Sequence, residues 1–147
     1  MNPVYILSAT RTAVGSFGGS LKDTSPIDLG THIAKSAIER SGVAADAIDH
    51  AVIGNVIHTE PRDMYVSRCI SIGAGMREGA PALTVNRLCG SGLQAIASAS
   101  QLIMLGDAEL ALAGGVEVMS RSGHIVPSLR WGERMGNADI HDMMLGA

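Results

Sequence analysis

Residues 93–105 contain neither proline nor glycine, and apolar or small side chains occupy every side of the helix they would form. Leu93, Ile96, Ala97 and Met104 share one side; Ala95, Ala99, Leu102, Ile103 and Leu105 take the others. A helix without a polar face is normally buried between layers. The rest of the chain must therefore be organised in layers around it. Small Ala and Ser side chains permit close packing on both sides.

Strand and helix patterns alternate around that helix. Val4-Tyr5-Ile6-Leu7 reads as a buried strand, and residues 11–20, rich in glycine and serine, as a loop. Ser25-Pro26-Ile27-Asp28 supplies a helix start, with Ser25 as N-cap, Pro26 at the first helical position and Asp28 three residues after the cap. Leu29, Ile33 and Ala37, with Ile38 beside them, form one apolar stripe, and Gly42 stands where a left-handed C-terminal cap is expected. A second strand is expected within 48–57, with Gly54 as a candidate bulge. A shorter helix over 64–72, a third strand over 82–85 and a fourth over 110–113, breaking at Gly114-Gly115, complete the pattern. Three β-to-α steps in succession imply an α/β fold: parallel strands, right-handed crossovers and helices on both faces. Ligands of such sheets sit beyond the carboxyl ends of the strands.

The chain has 147 residues, the size of one domain, with 46% hydrophobic and 17% charged residues, which marks it as globular. Aromatics are only 3%, so the core must be aliphatic. A net charge of −3 without a basic stripe argues against nucleic acid as the main partner. Cys69 and Cys89 form no CxxC pair and no disulfide framework. His32, His50, His58, His124 and His141 are scattered, so no metal site is expected. The N-terminus enters an apolar strand pattern at once, without a leader-like charged region, and no run is expected to span a membrane. A cytoplasmic location and no membrane partner are the expectations.

Cys89 sits where the strand at 82–85 stops and the apolar helix starts, in Asn86-Arg87-Leu88-Cys89-Gly90-Ser91-Gly92. Gly90, Ser91 and Gly92 form the turn and keep the space above the sulfur open. A thiol at the opening turn of a helix faces unpaired N–H groups and the positive end of the helix dipole, which favour the thiolate. Those N–H groups, the cysteine's own included, are also candidate oxyanion donors. The other reading is a small buried hydrophobe, as free cysteine often is. The Gly-Ser-Gly is weak as a phosphate cradle, since it lacks the lysine of a P-loop and the third glycine of a dinucleotide fingerprint. Cys69 reads as a packing residue.

From residue 120 the character changes. Trp131, Met135, Met143 and Met144, with His124, are candidates for a mobile lid, or for plain gap-filling.

Residues 86–96 resemble the acyl-enzyme signature of the thiolases, and Gly114-Gly115-Val116-Glu117-Val118-Met119-Ser120 resembles the block that follows it. Ala9-Thr10-Arg11-Thr12, Gly15-Ser16-Phe17-Gly18-Gly19 and Gly54-Asn55-Val56 match the family's opening and its second strand. The likeness covers the whole chain. Related ketoacyl synthases usually follow their cysteine with alanine instead of Gly-Ser-Gly. The resemblance implies a thiolase-like layered fold, with residues 1–119 as an incomplete first half-domain holding four strands and three helices. Residues 120–147 would begin the loop or lid segment. The half-domain's own last strand and the second, C-terminal domain would be absent.

The resemblance also implies an acyl-CoA C-acyltransferase in which Cys89 takes an acyl group from acyl-CoA as a thioester. Acetyl-CoA would then condense with it to a 3-ketoacyl-CoA, or in reverse CoA would cleave one. Coenzyme A thioesters are substrates here, no cofactor is implied, and a homodimer or homotetramer is. Three family features are missing from these residues: a histidine in a Gly-His-Pro turn, a second catalytic cysteine and an Asn-Glu block. The rival expectation is a catalytically incompetent thiolase-like domain serving assembly. Val118 stands where many thiolases have serine. Ser122-Gly123-His124 stands where a small residue, proline and an aromatic are common.

Overall fold

A computed structural model describes residues 3–146; Met1, Asn2 and Ala147, at the outer ends of the two expected segments, lie outside the described residues. The first helix, α1 (Pro26–Ser41), starts and stops as its sequence dictates. The Ser25 hydroxyl accepts from the Ile27 N–H at 3.2 Å, Pro26 fills a position where a missing N–H is no loss, and Gly42 closes the helix with φ 72°.

Three parallel strands form the main sheet. β1 (His50–Gly54) lies between β2 (Ala82–Val85) and β3 (Ala111–Gly115). Its side chains alternate with period two. Ala51 and Ile53 join α1 and α2 (Val66–Gly73) in one core, with Ile27, Ile38, Val66 and Ile70. Val52 points to the opposite face and meets Ala95 and Ala99 of α3 (Ser91–Leu105). Helices thus cover both faces, as a central parallel strand requires. Beyond the sheet, β4 (His124–Ile125) and β5 (His141–Asp142) make a small antiparallel pair.

Several expectations are corrected. Val4 to Leu7 form no strand. The segment is tied to α1 by side chains, with Ser8 Oγ donating to the Ala37 carbonyl at 2.7 Å and Thr10 Oγ1 to that of Ile33 at 3.4 Å. A cavity of about 620 Å³, lined by residues 3–12 on one side and by β3 on the other, keeps it from a neighbour to ladder with. The sheet therefore has three strands where four were expected. Gly54 is no bulge, since it pairs in register with Val85 and Gly115, and β3 runs through both of its glycines. The expected helix at 64–72 is two elements. A 3-10 turn over Pro61–Tyr65 precedes α2, because the buried Asp63 carboxylate takes donors from Thr59 and Glu60 and ties that turn off.

The helix α3 is also not enclosed. Ser91, Ala95 and Ala99 are its buried residues, while Leu93 is 74% exposed and Leu105 equally open. The stretch Leu88–Leu105 reaches a mean hydropathy of 1.3 over 18 residues, enough by length and composition to cross a membrane, contrary to the sequence expectation. Its helical part is only 15 residues and lies on β1 and β3, short of the ~20 residues a span needs.

Candidate active site at the Cys89 turn

β2 ends at Val85, and six residues later α3 begins at Ser91, with Gly90 as its N-cap. Cys89 is therefore one residue ahead of the cap, exposed, with a free thiol. It lies at the carboxyl end of the parallel sheet, where the fold class places ligands. Within the described residues Cys89 is not buried as a structural thiol would be. Cys69 behaves as expected of a packing residue: it lies against the core of α1 and α2, and burial pushes its thiol pKa up.

The turn is held by a dense set of short hydrogen bonds. Leu88 has φ 48°, the left-handed region that a branched aliphatic residue rarely adopts. Its N–H donates to Asn86 Oδ1 at 3.0 Å. Ser91 stitches the two ends together: its Oγ accepts from the Arg87 N–H at 2.7 Å and donates to the Leu88 carbonyl at 2.7 Å. The Ser91 N–H donates to the same carbonyl at 2.9 Å, and the Gly90 N–H to that of Arg87 at 3.1 Å. Ser91 is only 4% exposed. Its side chain therefore bonds across the turn from a buried position.

These bonds narrow the oxyanion expectation. The Gly90 and Ser91 N–H groups are already committed to carbonyls within the turn. Among the described residues the Cys89 and Gly92 N–H groups donate to no acceptor, so both remain available as donors for a developing oxyanion.

A second cluster lies at the same end of the sheet. Asn55, 1% exposed, follows β1 and joins all three strand ends. Its N–H donates to the Val85 carbonyl at 3.2 Å, and its Nδ2 donates to the Val116 carbonyl at 2.9 Å and to Glu117 Oε1 at 3.2 Å. Glu117 also accepts from the Val56 N–H at 3.0 Å and the Ile57 N–H at 3.0 Å. Glu117 as a residue is exposed, yet its carboxylate is crowded by protein. Desolvation holds its pKa above the ordinary value, against the opposing pull of those two N–H groups.

A family model described as "Thiolase, N-terminal domain" matches residues 4–147. This chain belongs to the thiolase family. It is 56% identical over 144 residues to the beta-ketothiolase BktB of Cupriavidus necator, which covers 98% of this chain and 36% of that protein. It is 43% identical over 145 residues to an acetyl-CoA acetyltransferase of the same organism, covering 99% of this chain and 37% of the other. A crystal structure of human mitochondrial 3-ketoacyl-CoA thiolase in complex with CoA superposes with a TM-score of 0.89 at 37% identity, over 95% of this chain and 36% of that one. The thiolase fold expected from the motifs is thus the fold observed. The chain spans a little over a third of the length of the curated relatives it matches.

In this thiolase domain the residues proposed as a lid belong to neither of the two core clusters. Trp131 and Met135 are 89% and 95% exposed, and Met143 and Met144 lie in a final 3-10 turn. The segment is anchored through Ser120 Oγ, which accepts from the Gly18 N–H, and through Arg121 on Glu60. Among the described residues no group of three or more His, Cys, Asp and Glu side chains comes together as metal ligands. Sequence reasoning placed Asn55 and Glu117 in family-like blocks without a role. The available signal was that Asn55 directly follows β1 and Glu117 comes two residues after the end of β3.

Proposed function

We propose that this chain carries the nucleophile of a thiolase: Cys89 accepts an acyl group from acyl-CoA and passes it on. The single observation that supports this best is the exposed Cys89 sulfur on a side-chain-stitched turn at the head of α3. The thiolate attacks the thioester carbonyl, the tetrahedral oxyanion is held at the Cys89 N–H, and the C–S bond to CoA breaks, releasing CoA thiolate. In the second half-reaction the enolate of acetyl-CoA displaces Cys89 and a 3-ketoacyl-CoA forms. Reversed, CoA thiolysis shortens such a chain, as in fatty acid breakdown. Acyl transfer between two thiols is nearly thermoneutral, so both directions stay open.

Proton transfer in the second half-reaction would fall to a histidine and a second cysteine of the kind the family supplies. Neither is among these residues, so the 147-residue chain alone is expected not to turn over; each missing acid–base group is worth about 10²–10⁴ in rate. The proposed assembly is a homodimer or homotetramer in the cytoplasm. A second reading, a thiolase-like domain that serves assembly only, draws support from the half-exposed edge strand β2 and the open face of α3.

Incubation of the full-length protein with labelled acetyl-CoA, followed by peptide mapping, separates the two. Acyl label on Cys89 supports the transferase. An unlabelled Cys89 in a folded protein contradicts it and leaves the assembly reading.

A further inference from the structure

The carboxyl end of the sheet meets the head of α3 largely through backbone. A Cβ on Gly54 would lie 2.6 Å from the carbonyl carbon of Ser91 and 2.8 Å from its carbonyl oxygen and its Cβ. A Cβ on Gly115 would lie 3.1 Å from Gly92 Cα. The obstacle at Gly54 is largely backbone, which cannot swing aside as the tip of a side chain can. Glycines on β1, β3 and α3 therefore let the strand ends seat the first helical turn directly.

The strand end that carries Gly54 is itself pinned. The three residues after it, Asn55, Val56 and Ile57, all donate to the Glu117 carboxylate, and the Val116 N–H donates to the Gly54 carbonyl at 3.0 Å. Because folding raises the Glu117 pKa, its ionised form at neutral pH weighs against the folded state. Groups kept under such a penalty concentrate at functional sites.

We propose that Gly54 and Glu117 are positioning residues for Cys89. Glu117 fixes the end of β1, and Gly54 passes that position by contact to Ser91, whose hydroxyl holds the Cys89 turn. The inference rests on Cys89 being the nucleophile, and its test keeps the two apart.

The test uses the full-length protein as wild type, Gly54→Ala and Glu117→Gln, with circular dichroism to establish folding. Acylation of Cys89 by acetyl-CoA is followed by peptide mass spectrometry over a range of acetyl-CoA concentrations. In folded Gly54→Ala the limiting acylation rate falls about tenfold while the half-saturating acetyl-CoA concentration is unchanged, since a misplaced nucleophile loses rate and not binding. Glu117→Gln, an isosteric change at an exposed residue, lowers the limiting rate by a smaller factor. A folded Gly54→Ala protein with the wild-type limiting rate overturns the proposal. Should Gly54→Ala not fold, Glu117→Gln decides by the same criterion: a lowered limiting rate at unchanged half-saturation supports the proposal and the wild-type rate overturns it. Wild-type acylation is the independent arm. A Cys89 that takes no acyl group sinks the nucleophile whatever the variants do. An acylated wild type with unmoved variants sinks only the positioning role.

Discussion

Ser91 is the side chain that ties the two ends of the Cys89 turn to each other. Its Oγ takes the Arg87 N–H and gives to the Leu88 carbonyl, and it does so from a buried position. Ser91→Ala leaves the Arg87 N–H without that acceptor, and the left-handed Leu88 then has less to hold it. The expected loss is roughly 1–3 kcal/mol of stability, by the usual worth of buried hydrogen bonds, together with slower acylation of Cys89. Urea unfolding and an acylation time course check both, and a variant as stable and as quickly acylated as wild type would refute the stitch. Cys89 itself was legible from sequence because its signal is local: a strand, a glycine-flanked turn and a helix within a few residues. The Asn55–Glu117 bond was not, because its partners are 62 residues apart and meet only once β1 and β3 lie side by side.

The third strand came out at the residues expected for it, but the first expected strand and the helix over 64–72 did not come out as read. The ends of α1 follow from Ser25, Pro26 and Gly42 alone. A strand needs a partner, and Val4 to Leu7 have none, so an apolar run that reads as a strand stays irregular. Register between β1 and β3 depends on another side chain, Asp49. Its Oδ2 accepts from the Glu109 and Leu110 N–H groups at 2.9 and 3.1 Å, and its Oδ1 from Arg77 at 2.8 Å, so it ties the start of β1 to the approach of β3. Those backbone donors first, and Arg77 after them, hold its carboxyl below the usual range. A carboxylate whose pKa is depressed by folding stabilises the fold above its unfolded value, and that contribution disappears as pH falls through the folded value. Wild type should therefore melt at a higher temperature than Asp49→Asn at neutral pH, with the gap closing below about pH 4, where the unfolded carboxyl titrates. Melting curves from neutral to strongly acid pH decide it; a gap that stays constant throughout would exclude the tether.

As a whole, the molecule shows more apolar surface than its composition needs to. β2 and β3 are both edge strands, and the outer side of β3 faces the cavity below residues 3–12 rather than another strand. The open face of α3 adds Leu93, Ile96 and Leu105, and Trp131 and Met135 stand in solvent further along. The sequence expectation that α3 lies between layers was sound about its chemistry; only one of the two layers is present among the described residues. Unpaired strand edges template pairing with other chains, and contiguous apolar patches mark surfaces that other protein covers. Expressed as these 147 residues, the chain should therefore self-associate, and its sedimentation mass should rise with concentration across the micromolar range. Leu93→Lys together with Leu105→Lys should weaken that association without unfolding the protein, since both residues are exposed in the single chain and contribute little to its core. Equal association in wild type and the double variant would assign it to the strand edges instead. A chain that stays monomeric at every concentration, with no binding of a hydrophobic dye, would mean that the exposed face of α3 is covered by a rearrangement of the molecule itself.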